Sequence, residues 1–262
     1  HLQFEAQNFN FVCDSGRGSE GGGVSNTGSA SRVCDVGLAF AFYSPSSVQN
    51  MTILAKNITV SNMKMQYIMQ VSSQSVYDCS ATVLNVNVMG SAGDVSLIGF
   101  NLTGLEAGNS TQRMRFVTSN VTSTGGGNLV LQEVFLWGWL DAINVTSVVD
   151  TVYVEGGSGG VGQFVGDADN AHLDLAVSNV HVVGGRTFTL GALIGWKGVF
   201  VFSNSTFSHC QFGDSLLDVM AVLPASSFAN IVIDGVTVLN ASMSALMSNP
   251  LIRIRGNAGM DV

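Results

Sequence analysis

Charge is scarce in this chain. Lys, Arg, Asp and Glu make up 11% of its 262 residues, less than half the usual share of a soluble domain. The 10 basic and 18 acidic residues, net −8, are scattered without blocks. No basic stripe follows a phosphate backbone and no polybasic cluster meets an anionic lipid surface, which argues against nucleic acid and membrane surfaces as partners. Long apolar runs are missing too. The strongest, Val134 to Leu140 and Gly198 to Phe202, fall far short of the roughly 20 residues of a spanning helix, so no membrane insertion is expected. Helical periodicity is equally sparse, and the best stretch, Ser242 to Met247, is too short for a stable helix.

The motifs of familiar chemistry are also absent. The four cysteines, Cys13, Cys34, Cys79 and Cys210, form no Cys-x-x-Cys, which speaks against zinc and redox sites. His172, His181 and His209 have no partner at metal-ligand spacing. No serine sits in Gly-x-Ser-x-Gly. Gly156-Gly-Ser-Gly-Gly160 lacks a following Gly-Lys-Ser/Thr, so it is no phosphate loop, and Val161 stands where a calcium nonapeptide needs aspartate. The one acidic cluster, Asp167, Asp169, Asn170 and Asp174, offers oxygens for calcium but reads more simply as a solvated turn. No cofactor and no catalytic residue are expected.

What is abundant is the alternation of apolar and polar residues, punctuated by 31 glycines and only three prolines. That is the pattern of strands throughout. Asn57-Ile-Thr-Val60, Asn85-Val-Asn-Val88, Asn120-Val-Thr-Ser123, Thr151-Val-Tyr-Val154, Asn179-Val-His-Val182, Asn204-Ser-Thr-Phe207 and Gly235-Val-Thr-Val238 repeat at intervals of 28, 35, 31, 28, 25 and 31 residues. Most are followed by a turn and a second apolar segment. Irregular repeats of this length suit a right-handed parallel β-helix of about seven rungs. The alternative is an antiparallel β-sandwich, whose short strands alternate in the same way. Residues 1–45 are set apart as an N-terminal strand and a Gly/Ser-rich loop closed by a Cys13–Cys34 disulfide, and 46–262 form the solenoid. In a regular solenoid Cys79 and Cys210 lie about four rungs, roughly 19 Å, apart, too far to pair. Trp137 and Trp139 share a face by period two and could stack on sugars; packing of at least one tryptophan, Trp196 included, in the core is expected.

Eight asparagines head Asn-x-Ser/Thr triplets: Asn50, Asn57, Asn101, Asn109, Asn120, Asn144, Asn204 and Asn240. Random order of 20 Asn and 45 Ser plus Thr gives about three or four. The excess, with so little charge, points to N-glycans as the solubilising layer and to a secreted, extracellular or cell-surface chain. The start at His1, without a charged segment ahead of an apolar one, suits a processed chain or a fragment. Alternation places Asn57, Asn120 and Asn204 in one outward column, with Asn85 and Asn179 unmodified between them. The competing arrangement turns these asparagines inward as a hydrogen-bonded ladder.

Thr189-Leu-Gly-Ala-Leu-Ile-Gly-Trp196 followed by Phe202-Ser-Asn-Ser-Thr-Phe-Ser-His-Cys210 resembles the GLUG-type repeat of non-catalytic, pectin-lyase-like β-helix surface proteins. The resemblance covers one clear rung and implies a stacked extracellular architecture used in adhesion or assembly. The Asn-Thr-Asp, Asp-Asp and His-Gly signatures of related hydrolases are absent, and Arg253-Ile-Arg255 reads as edge-strand charge. The expected function is that of a structural protein and not an enzyme: a subunit of a fibril or surface layer. It would assemble with itself when the strand of Leu2, Phe4 and Ala6, or the last rung, pairs with the next copy. The alternative is a carbohydrate-binding or carbohydrate-active β-helix.

Overall fold

Strands with one apolar face need a partner surface on that side, and repeated strands can find it by stacking rung upon rung around a shared core. The computed structural model describes residues 2–12, 34–90, 94–103, 112–136, 143–165, 171–186, 188–194, 196–212, 215–220, 229–243 and 250–255. These contain strands and no helix, and every strand pair among them is parallel. The chain is a right-handed parallel β-helix, which disposes of the antiparallel sandwich.

Two long sheets run its length. The first, sheet A, stacks in order Leu2–Val12, Met51–Ser61, Cys79–Met89, Gln112–Thr124, Ile143–Glu155, Ala171–Val183, Gly198–Ser203 and Ala229–Asp234. The second, sheet B, stacks Cys34–Ser44, Met63–Ser73, Val95–Leu102, Asn128–Leu136, Ser158–Val165, Gly191–Ile194, Leu217–Met220 and Ile252–Arg255. Leu2–Val12 and Cys34–Ser44, from the stretch set apart by sequence, pair in register with Met51–Ser61 and Met63–Ser73 as the first rung.

The core is built of columns. Ile58, Val86, Val121, Val152 and Val180 lie directly over one another, each at most 2% exposed. Each such side chain contributes about 1.5–3 kcal/mol when buried. Aromatic rings stack similarly: Phe100 and Phe116 meet at 4.5 Å, and Phe207 lies 6.3 Å from both Phe188 and Phe212. One polar network interrupts the middle. Gln132, fully buried, donates to Thr118 Oγ1 at 3.1 Å and to the Val148 carbonyl at 3.2 Å, and accepts from Ser147. Its hydrogen-bonding groups are thus paired, as burial requires.

Inward positions in sheet A do not keep strict period two. Met51, Ile53 and Ala55 are buried, then Ile58 and Val60; Cys79, Ala81 and Val83, then Val86 and Val88. The slip falls at Asn57 and Asn85, whose φ values are 56° and 56°. A left-handed residue turns the strand there, so that two successive side chains point outward.

Cys79 and Cys210 are both buried and unpaired, as their separation along the axis dictates. Burial pushes the Cys79 thiol up to about 12. Trp196 is buried. Cys13, Asn109, Trp137, Trp139, Asp167, Asp169 and Asn170 lie outside the described residues, and with them the Cys13–Cys34 bridge and most of the calcium candidate.

Candidate functional site

Two exterior features stand out, one on each sheet. On sheet A the turning residues form an unbroken column: Asn8, Asn57, Asn85, Asn120, Thr151, Asn179, Asn204 and Gly235, all at φ between 47° and 64°. This region costs most residues roughly 1–2 kcal/mol, while glycine enters it freely and asparagine routinely. The asparagines also bond to one another. Asn57 Nδ2 donates to Asn8 Oδ1 at 2.9 Å, Asn85 to Asn57 at 2.8 Å and Asn120 to Asn85 at 2.8 Å. Farther along, Asp150 takes over as acceptor for Ser178 (2.6 Å), Asn179 (2.7 Å) and Thr151 (2.8 Å). These bonds, the one from Ser178 foremost, hold its carboxyl below the ordinary range.

The column faces outward, which corrects the inward arrangement, and its members from Asn8 to Asn120 are nonetheless bonded as a ladder. Asn57, Asn120 and Asn204 are exposed and yet stacked. Of the seven sequon asparagines among the described residues, six are exposed: Asn50, Asn57, Asn120, Asn144, Asn204 and Asn240. All six lie on sheet A or at its flanking corners. Asn101, on sheet B, is half-buried, and its Oδ1 finds no hydrogen-bond partner among the described residues. Asp174, the described member of the calcium candidate, accepts from His172 Nε2 at 3.0 Å and from the Val199 amide at 3.3 Å. Among the described residues no cluster of three His, Cys, Asp or Glu is placed to hold a metal.

On sheet B lies a groove that the sequence does not announce. Between Met65 and Met69 the strand Met63–Ser73 carries one residue more than its partner, since Met65 pairs with Val95 and Met69 with Ile98. Such bulges re-aim side chains. Here the Tyr67 ring lies across the neighbouring strand and its hydroxyl donates to Glu133 Oε2, two strands away. Gly99 makes the crossing possible, because a Cβ there would sit 2.4 Å from Tyr67 Cε1. The pair borders a cavity of about 460 Å³ lined by Lys64, Gln66, Asp94, Ser96 and Asn128. A smaller hollow of about 180 Å³ over Gly160, Gln163 and Thr189 shares Asn128 and Val130 with it, so the two adjoin as a groove along the solenoid axis.

Burial raises the Glu133 carboxyl, against the hydrogen bonds from Tyr67 and Ser96, and burial likewise raises the Tyr67 hydroxyl. The folded state therefore holds the Glu133 proton more tightly than the unfolded chain. The associated stability is present below the ordinary glutamate range and is lost as pH rises through the raised folded value. Glu133→Gln keeps an acceptor for Tyr67 and removes the charge. The variant is expected to show a higher denaturant midpoint than the parent at neutral pH, with the two converging under acid conditions; urea titrations across that range would check it.

Sequence reasoning missed Tyr67 and Glu133 because 66 positions separate them and neither sits in a motif. Compared with known protein families, curated proteins and solved structures, the chain matches none.

Proposed function

We propose that the chain is a secreted, N-glycosylated structural protein, a non-catalytic unit of an extracellular fibril or surface layer. The exposure of six sequon asparagines on one side of a regular solenoid carries this reading. Ladder bonding is compatible with modification. An asparagine amide has two N–H donors, and Asn57 and Asn120 each spend one on the preceding rung, leaving one for a sugar. Within the column the sequon members are never on adjacent rungs, so each column glycan has a column position without a sequon on either side. A hydrated sheath there would offset the low charge of the chain.

Self-assembly has its own support. Leu2 and Phe9 occupy the columns of buried Met51 and Ile58, and Ile233 and Ile254 those of buried Phe202 and Val219. Yet they are 43%, 41%, 41% and 50% exposed. A second copy stacked end to end would cover them, and the left-handed column from Asn8 to Gly235 would continue across the joint.

Glycopeptide mapping of material from a eukaryotic secretory host, combined with light scattering over a range of concentrations, tests both halves. Occupied Asn57, Asn120 and Asn204 and a mass that grows by whole subunits are expected. Bare asparagines at every site would remove the glycoprotein reading. A monomer at all concentrations would leave the end rungs to other rungs or partners and end the homopolymer.

A further inference from the structure

We infer that the groove on sheet B is a binding site for an elongated, uncharged oligosaccharide lying along the solenoid axis, held by Tyr67, Asn128, Glu133 and Gln163. The proposal goes beyond the structural role, and its test is independent of glycan occupancy.

Three features show a built site and not an accidental hollow. The extra residue in Met63–Ser73 turns Tyr67 sideways, Gly99 clears its path, and Glu133 receives it two strands on. Over the adjoining half of the groove, Val130 pairs with Gly160 and Glu133 with Gln163, so the glycine keeps the floor low beside an exposed amide. A Cβ on Gly160 would stand 2.6 Å from Thr189 Oγ1. Bareness at these positions preserves the depression.

The shape selects the ligand class. The groove crosses the strands Met63–Ser73, Val95–Leu102, Asn128–Leu136, Ser158–Val165 and Phe188–Thr189, a path of about 19 Å at about 4.8 Å per rung. One rung is close to the length of one pyranose unit, so successive sugars would meet equivalent columns. A peptide advances about 3.3 Å per residue and drifts out of register. It would also want a free sheet edge for its backbone, and the four longer of these strands, Phe188–Thr189 apart, are paired on both sides. The lining is rich in planar acceptors and donors, carboxylate and amide, suited to vicinal hydroxyls. Its charged members are Lys64, Asp94 and Glu133, two acids to one base, in a chain of net charge −8. A polyuronate would be repelled. The exposed sequons lie on sheet A or at its corners and none lines the groove, so glycans carried there would be attached outside it.

The test uses the full chain after enzymatic deglycosylation, titrated calorimetrically with neutral tetrasaccharides of glucose, mannose, galactose and N-acetylglucosamine, with their disaccharides, and with tetragalacturonate. At least one neutral tetrasaccharide is expected to bind ten or more times tighter than its disaccharide. Asn128→Ala and Gln163→Ala should each weaken that binding at least several-fold; Gln163→Ala, at an exposed position, should leave the thermal midpoint unchanged, while Asn128→Ala, which also loses the 3.3 Å bond from Ser158 Oγ, should lower it only slightly. Absence of binding across the neutral panel, preference for tetragalacturonate, or indifference to both substitutions would each overturn the proposal.

Discussion

Gly159→Ala is expected to destabilise the protein by on the order of 3–5 kcal/mol, among the largest effects a single methyl group can have. Gly159 has φ of 131°, and an added Cβ would stand 1.9 Å from the Leu129 carbonyl oxygen and 2.7 Å from its amide nitrogen. These are backbone atoms of the preceding rung and cannot rotate away. Accommodation means prying apart two strands paired from Asn128↔Ser158 to Phe135↔Val165 as well as holding alanine in a region that costs about 1–3 kcal/mol. A domain's net stability is only about 5–15 kcal/mol, so a loss of this size is visible in any denaturant titration. Because each rung touches only its neighbours, the damage should also divide the cooperative unit, and the transition should broaden. Gly126→Ala is the control. It shares a left-handed φ, 89°, but its nearest heavy atom is 3.9 Å away, so it should cost only about 1 kcal/mol. Equal losses for the two variants would mean that the rungs do not approach so closely at Gly159.

That contrast shows what the sequence made legible. The glycines read as punctuation, and the run Gly156–Gly160 could be dismissed as a phosphate or calcium loop, but which glycine supports a close approach depends on rung stacking. The repeat itself was readable because one backbone requirement recurs: every rung must turn at the same place, and asparagine is the residue other than glycine that does so readily. The seven aligned segments therefore start where the left-handed column runs, and their registers agree with the strand pairing. Asn8-Phe-Asn-Phe11 carries the same signal but sits behind the long insertion ahead of Cys34, which hid it as the first member. Alternation correctly placed Asn57 and Asn85 outside without revealing that the phase slips there.

The groove was not legible, for physical reasons. A one-residue bulge leaves no mark on composition, and sheet B reads as a continuous buried run from Val95 to Phe100 instead of an alternating strand. Tyr67, Gly99 and Glu133 come from three strands brought together only by stacking. The small residue inside Leu97-Ile-Gly-Phe100 was the one hint available, and a glycine within a strand has several explanations.

Asn85→Val should cost roughly 3 kcal/mol, the sum of two separate losses. Asn85 sits at φ of 56°, where a β-branched side chain meets its own backbone and about 2 kcal/mol is lost. It also both donates to Asn57 and accepts from Asn120, each at 2.8 Å. On an exposed surface such bonds contribute about 0.5 kcal/mol apiece, the low end of the usual range. Asn85→Gly separates the two, since it removes both bonds but accepts the backbone, and should cost about 1 kcal/mol. Equal effects of valine and glycine, read from denaturant midpoints, would show that the corner is not left-handed; a neutral glycine variant would show that the ladder adds nothing. Asn85 heads no sequon while Asn57 and Asn120 on either side do, so neither substitution alters an acceptor triplet. Any change in sugar occupancy at Asn57 and Asn120 would then report that the ladder orders their side chains during folding, coupling the stability of the column to the surface it presents.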